Sequence, residues 1–378
     1  MTSGLPARPD VVWGGPSVPS PPVVPRIIGS SRLVAVDLAR GLAVLGMFAA
    51  HMWPRLDLDE RVFDGRSAIL FATLAGVSLG LMSGGARPTP HGSRGRVVGS
   101  IAIRAGVLIA LGLVLQWWNA YILIILAYYG LMFLLLLPLL FAPRWALATT
   151  AAALAVIAPW LAALVPVDVN GDPLAGGLPG LVADAFLVGA YPALVWLPFL
   201  CVGLVAVRSD LTRGRTQLTM LAAGTAAAVI GYTARFLPGA GDIAALDPAA
   251  HGGTPAEIVG SGGVAVAVIG LLLWLTSDAR GGVGRALRLV GTPIAATGAQ
   301  PLTVYTAHIV LTAPLFLAYR DVGGSYGLPL AYLVAAIVIT LAYATAWSLF
   351  VGRGPLERFV ALLSRPWTWG GSPASPRM

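Results

Sequence analysis

Apolar runs of about 20 residues, each long enough to cross ~30 Å of hydrocarbon as a helix, recur along the chain between short polar breaks. Ten such runs read as spans, over residues 33–53, 65–85, 97–116, 120–141, 145–165, 181–207, 216–236, 257–276, 297–318 and 328–351. The stretch 281–296, ahead of the ninth, predicts a separate short helix along the membrane surface. In the second run Ala68, Ala72, Gly76, Gly80 and Gly84 recur every four residues, a strip of small side chains that lets another backbone approach closely. Trp53, Trp117 and Trp118 fall at run ends, where amphipathic rings anchor in the interface. The expected fold is all-α, a polytopic membrane bundle of about ten transmembrane helices.

Composition agrees. The 378 residues are 57% hydrophobic and 11% charged, with a mean hydropathy of +0.82, too little polar surface for a water-soluble domain. All 24 basic residues are Arg, a compositional habit of a GC-rich bacterial genome rather than a mechanism. Cys201 is the one cysteine and lies inside an apolar run, so it reads as a small buried hydrophobe. Residues 1–31, crowded with Pro, Gly and Ser, lack the continuous apolar core of a cleavable signal peptide and read as a disordered cytoplasmic tail. The membrane domain is expected over 32–366, with a flexible tail over 367–378.

The net charge of +8 raises the question of nucleic acid, and the placement of the arginines answers it. With ten spans and both termini cytoplasmic, 18 of the 24 arginines fall on the cytoplasmic side. Most acids fall on the other, including Asp57, Asp59, Glu60 and Asp64 in the first outer loop. This is the positive-inside distribution, so basicity here is an orientation signal in a bacterial inner membrane, and no nucleic acid is expected.

Three polar constellations interrupt the apolar pattern. In the first run Asp37 and Arg40 stand three residues apart and can pair, and His51 lies only about 40° from Asp37 around the helix, ~21 Å further along it. One stripe thus joins an inner-end ion pair to an outer-end imidazole. In the ninth run, "GAQPLTVYTAHIVLT", Pro301, Tyr305, His308 and Thr312 share a face, and Gln300-Pro301 interrupts the helix start as in cavity-lining helices. The inner loops "GGARPTPHGSRGRVVGSIAIR" and "SDARGGVGRALR" carry Arg87, Arg94, Arg96, Arg280 and Arg285 among glycines. Such loops suit either the phosphates of a cytosolic ligand or anionic headgroups. With no H-E-x-x-H, Walker-type loop or G-x-S-x-G, metalloprotease and nucleophile-elbow readings lack sequence support, and no metal is expected.

The run from Arg32 through Asp37, Arg40, Gly41, Ala43 and Met47 to His51 resembles the opening span of the heparan-alpha-glucosaminide N-acetyltransferase-like family of membrane proteins. "PLTVYTAH" and "GRGPLERFVALLSRP" are similar to related uncharacterised bacterial membrane proteins. The resemblance implies acyl transfer across the bilayer, from cytosolic acetyl-CoA or another acyl-CoA to an extracytoplasmic sugar or glycolipid, with an essential histidine. In the family the inner arginines would face the CoA phosphates, and the acid-rich outer loop would attract an amino sugar. The founding enzyme carries a His and a Trp-Asn-Gly segment between its first two spans, whereas this chain has "PRLDLDERVFDGRS" there. That histidine therefore does not carry over. His51, His308 and Tyr305 stand in as catalytic candidates, with Asp37, Arg40, Arg66 and Gln300 along the substrate pathway. A transporter or flippase for a lipid-linked sugar, without covalent chemistry, is the alternative expectation. The bilayer and a glycan acceptor are the expected partners, and a homo-oligomer is left open.

Overall fold

The computed structural model describes residues 33–53, 63–168, 172, 174, 176–319 and 328–365. The expected tails and the acidic residues Asp57, Asp59 and Glu60 lie outside the described residues. Among the described residues the structure is helical, with no β-strand.

The helices are α1 (Val34–Met52), α2 (Arg66–Met82), α3 (His91–Trp118), α4 (Leu126–Leu136, extended by one 3-10 turn), α5 (Arg144–Ala162), α6 (Gly177–Ala183) and α7 (Ala193–Arg208). They continue with α8 (Gly214–Thr233), α9 (Pro255–Leu275), α10 (Gly281–Val290), α11 (Thr292–Gly298), α12 (Pro301–Tyr319), α13 (Leu330–Phe350) and α14 (Pro355–Leu363). Among the described residues seven stretches are long and apolar enough to cross a membrane: α1, α3, α5, the α6–α7 run, α9, α12 and α13. The apolar helices α2 and α4 are shorter.

Three departures from the expected spans have local causes. The run 181–207 is broken, because α6 ends in a π turn at Asp184–Val188 and extended backbone leads through Pro192 into α7. Pro192 has no N–H to continue a helix, and the Gly189 N–H closes the turn on the Asp184 carbonyl at 2.9 Å. The run 120–141 becomes helical only at Leu126. Before it, side-chain amides take backbone donors that a helix would need: Tyr121 N donates to Asn119 Oδ1 and Ile124 N to Gln116 Oε1, both at 3.0 Å. The stretch 281–296 splits at Gly291. Its first part, α10, is mostly exposed, whereas α11 is buried against α1.

Contacts define two ends of the bundle. The near end holds the start of α1. There Arg208, closing α7, donates to Ser83 Oγ (2.8 Å), to the Leu140 carbonyl (2.7 Å), and to the Gly80 and Gly85 carbonyls. The chain turns after α2, α4 and α7 therefore meet. At the far end Arg66, opening α2, donates from Nε to the Tyr232 hydroxyl at 2.6 Å near the end of α8, and Tyr191 OH donates to the Leu123 carbonyl at 3.4 Å.

The small-residue strip of α2 packs on α7. A Cβ at Gly76 would collide with the Leu200 carbonyl, and one at Gly203 with the Thr73 carbonyl, so the two backbones touch at reciprocal glycines. Cys201 is fully buried between these contacts. Gly76→Leu should lower the thermal unfolding midpoint in detergent, at a cost of about 1–3 kcal/mol or more. Gly99→Ala on α3, where a Cβ meets nothing within 4 Å, should leave it equal or slightly raised. Equal midpoints for the two variants would contradict this packing.

Candidate functional site

The helix that carries His308 is fixed at both ends. Glu357 of α14 receives the Leu302 and Thr303 N–H groups on Oε1 at 2.7 and 3.1 Å and the Thr303 hydroxyl on Oε2 at 2.5 Å. A carboxylate thus satisfies the orphan donors at the start of α12. Further along, Pro314 has no N–H for the Val310 carbonyl, and the Trp118 indole donates to that oxygen at 3.3 Å. Asn119 Nδ2 donates to the Ile309 carbonyl at 3.0 Å. These bonds set the rotation of α12, and Tyr305, His308 and Thr312 are buried as their shared face requires.

His308 meets His51. His51 Nδ1 and His308 Nε2 are 3.0 Å apart, and the His308 ring lies between Phe48 (centroids 4.1 Å apart, planes 17° apart) and His51 (5.3 Å, 9°). One of the paired nitrogens must carry the hydrogen and the other accept it. By position in their runs, His51 falls at the outer end of the first and His308 near the middle of the ninth. Instead they share a level, because α1 ends one residue after His51 while α12 runs on to Tyr319.

Two cavities approach the pair. The near-end cavity, about 210 Å³, has Arg40, Ser78, Arg104, Tyr129, Tyr305 and Glu357 in its wall. Arg40 is braced by Asp37 Oδ1 (2.9 Å), the Gly298 carbonyl (2.9 Å) and Ser78 Oγ (3.0 Å), so the predicted Asp37–Arg40 pair forms and also ties α1 to α2 and α11. The buried Arg104 Nε–H meets no hydrogen-bond acceptor among the described residues. The far-end cavity, about 20 Å³, is walled in part by His51, Asp64, Ser67, Tyr191, His251 and Tyr305. Tyr305 borders both. On its other side His308 lines a mainly apolar groove of about 560 Å³ between α12 and α13.

The far-end cluster was not legible as a site. His251 Nε2 lies 3.2 Å from Asp64 Oδ1, with the His251 ring edge-on to Tyr191 (5.4 Å) and roughly parallel to Trp196 (6.3 Å). The His251 backbone is left-handed at φ 58°, a conformation that costs a non-glycine residue of order 1–3 kcal/mol. Glu257 holds it there, accepting the His251 N–H at 2.8 Å and the Gly253 N–H at 2.7 Å. The His251 hydrogen bond holds the Asp64 carboxyl below the usual carboxylate range, against the opposing pull of burial. Burial draws the His251 ring downward, but the Asp64 hydrogen bond and charge, with the Glu257 charge and the Ala190 carbonyl, outweigh it and leave the ring above the ordinary histidine value. The available signal was the capping-box pattern Thr254-x-x-Glu257, of which the first half forms, Thr254 Oγ1 accepting the Glu257 N–H at 3.1 Å, while the Glu257 carboxylate reaches past Thr254 to the His251 and Gly253 N–H groups.

The remaining candidates are dispersed. Arg66 lies at the far end over the Tyr232 ring, 5.0 Å from its centroid. Gln300 ties α12 to α13, donating to the Ala344 carbonyl at 2.9 Å. Arg94 bonds the Thr89 carbonyl at 3.0 Å and lies over Phe141, Arg280 stacks on Trp274 at 3.3 Å, and Arg87, Arg96 and Arg285 are exposed. None of these five arginines borders the near-end cavity, whose cations are Arg40 and Arg104. Among the described residues no group of three or more His, Cys, Asp or Glu side chains is arranged to hold a metal. No family model matches the chain, and no curated protein matches it.

Proposed function

We propose that this chain is a membrane acyltransferase that moves an acetyl or other acyl group from cytosolic acyl-CoA to a sugar or glycolipid on the opposite side of a bacterial plasma membrane. In this reading the chain crosses ten times, both termini are cytoplasmic, and the near end faces the cytosol, where the arginines concentrate. The observation that carries the reading is the His51–His308 pair, flanked by Tyr305, which borders both a cation-lined near-end cavity and the far-end cluster. The likeness of the Asp37-to-His51 run to the acetyltransferase family supports the same chemistry.

Arg40 and Arg104 suit an anionic donor at the near end, and the buried Arg104 Nε offers a hydrogen to it. At the pair, whichever ring donates its hydrogen retains an unprotonated second nitrogen. With His51 donating, His51 Nε2 is the base or acyl acceptor, and with His308 donating, the role passes to His308 Nδ1. The acceptor's oxygen or nitrogen forms its bond to the acyl carbon as the thioester C–S bond breaks, and the electron pair leaves with sulfur.

Purified protein incubated with acetyl-labelled CoA and a glycan and glycolipid pool should transfer label in proportion to enzyme. Flux of a lipid-linked sugar in proteoliposomes without CoA consumption would overturn the acyltransferase reading in favour of a transporter.

A further inference from the structure

The far-end cluster has features that a loop held together only for packing does not require. His251 adopts a left-handed backbone although glycines stand immediately after it, and the buried carboxylate of Glu257 is committed to keeping it there. A strained residue whose surroundings enforce the strain marks a side chain needed at that place. The His251 and Asp64 side chains are 26% and 45% exposed, so the pair reaches the far-end medium. Its other side faces the 20 Å³ cavity, which has room for about one water and presents His51, Ser67 and Tyr305 as polar neighbours.

We propose that His251, held by Asp64, is the proton port of the His51–His308 pair, passing protons between the buried rings and the far-side medium. This rests on the pair being the reactive centre. In the transfer step the acceptor's O–H or N–H bond breaks as its bond to the acyl carbon forms, and the freed proton goes to the unprotonated ring nitrogen of the pair. From there it moves through the cavity to His251 and out to far-side water, while the departing sulfur takes a proton from the cytosolic side.

The groups facing His251 are Asp64 ahead of α2, Glu257 on α9, Tyr191 ahead of α7 and His51 on α1, with the Arg66 charge acting on Glu257. A port must be able to take up a proton, so transfer should slow as far-side pH falls through the raised His251 value. Asp64→Asn removes the hydrogen bond and the charge that contribute most to raising it and leaves only the Glu257 charge and the Ala190 carbonyl to oppose burial, so this acid limb should move to lower pH.

The experiment uses the full-length protein with ¹⁵N-labelled histidine, in far-side buffers of varied pH. Exchange of the paired ring N–H with water is read by NMR without any acyl-CoA, and the pH profile of transfer is read beside it. His251→Asn, whose side chain tolerates the left-handed backbone, should slow exchange at the pair about 10-fold or more and abolish the acid limb. Asp64→Asn should shift the limb and keep the loop. Exchange in His251→Asn equal to that of the unaltered protein overturns the port, whether or not the protein transfers acyl groups. An acid limb that follows near-side pH overturns it as well. A protein that shows port-dependent exchange but no transfer loses the acyltransferase reading alone.

Discussion

His308→Ala should lower the proposed acyl transfer by about 10²–10⁴-fold, the range expected when a positioned acid–base group is removed. His51→Ala should do the same, and the double variant should fall no further than the less active single one. The reason is geometric. The rings share one hydrogen bond at 3.0 Å, so removing either leaves the other without the partner that fixes its tautomer, and groups acting as a unit lose activity non-additively. The loss should fall on kcat, because the donor cations Arg40 and Arg104 lie in the separate near-end cavity. Initial rates with labelled acyl-CoA measure both parameters. Additive losses in the double variant would show two independent roles in place of one pair.

The second large effect is on stability. Arg208→Met strips hydrogen bonds from the Gly80, Gly85 and Leu140 carbonyls and from Ser83 Oγ, at the meeting point of three chain turns. The Gly80 carbonyl keeps the Gly85 N–H and the Ser83 hydroxyl, but the Gly85 and Leu140 carbonyls lose their donor, and with the loss of the charge-assisted bonds this should cost about 3–5 kcal/mol. Arg208→Lys should recover little of it, since an ammonium cannot reproduce the planar fork that reaches several acceptors at once. Thermal unfolding in detergent measures this. An Arg208→Met midpoint within a degree of the unaltered protein would contradict the role assigned to Arg208.

Local chemistry was legible where its partners are close in sequence. The Asp37–Arg40 pair is an i,i+3 contact, and the shared face of Tyr305, His308 and Thr312 follows from helical spacing alone. The small-residue strip of α2 named its own packing surface, though not α7 as the partner. His51 and His308 could each be singled out as costly in lipid, yet their meeting spans 257 positions and depends on where α12 begins. That starting point is set by Glu357, a further 54 positions on from Thr303. His251 escaped notice because Asp64, its partner, is 187 residues away and its own segment is short and polar, like any loop. Arg104 and Arg208 are among the 18 arginines that the sequence places on the cytoplasmic side as orientation signals. The burial of Arg208 and of the Arg104 Nε, which gives each a second role, follows from neighbours on other helices.

The breaks in the helices follow the same division. Gln300-Pro301 announced an interruption, and one occurs between α11 and α12. The π turn before α7 and the late start of α4 rest on hydrogen bonds to Asp184, Gln116 and Asn119, which apolar periodicity does not register.

The most direct measurement of the central claim is side-specific transfer in oriented proteoliposomes. Acetyl-labelled CoA is supplied only at the near end, and glycan or glycolipid acceptor only at the far end. Label should appear on the far-side acceptor without CoA crossing the bilayer, and His308→Ala should suppress it. Label appearing only when donor and acceptor share one side, or transfer that persists in His308→Ala, would contradict a trans-bilayer reaction centred on the histidine pair.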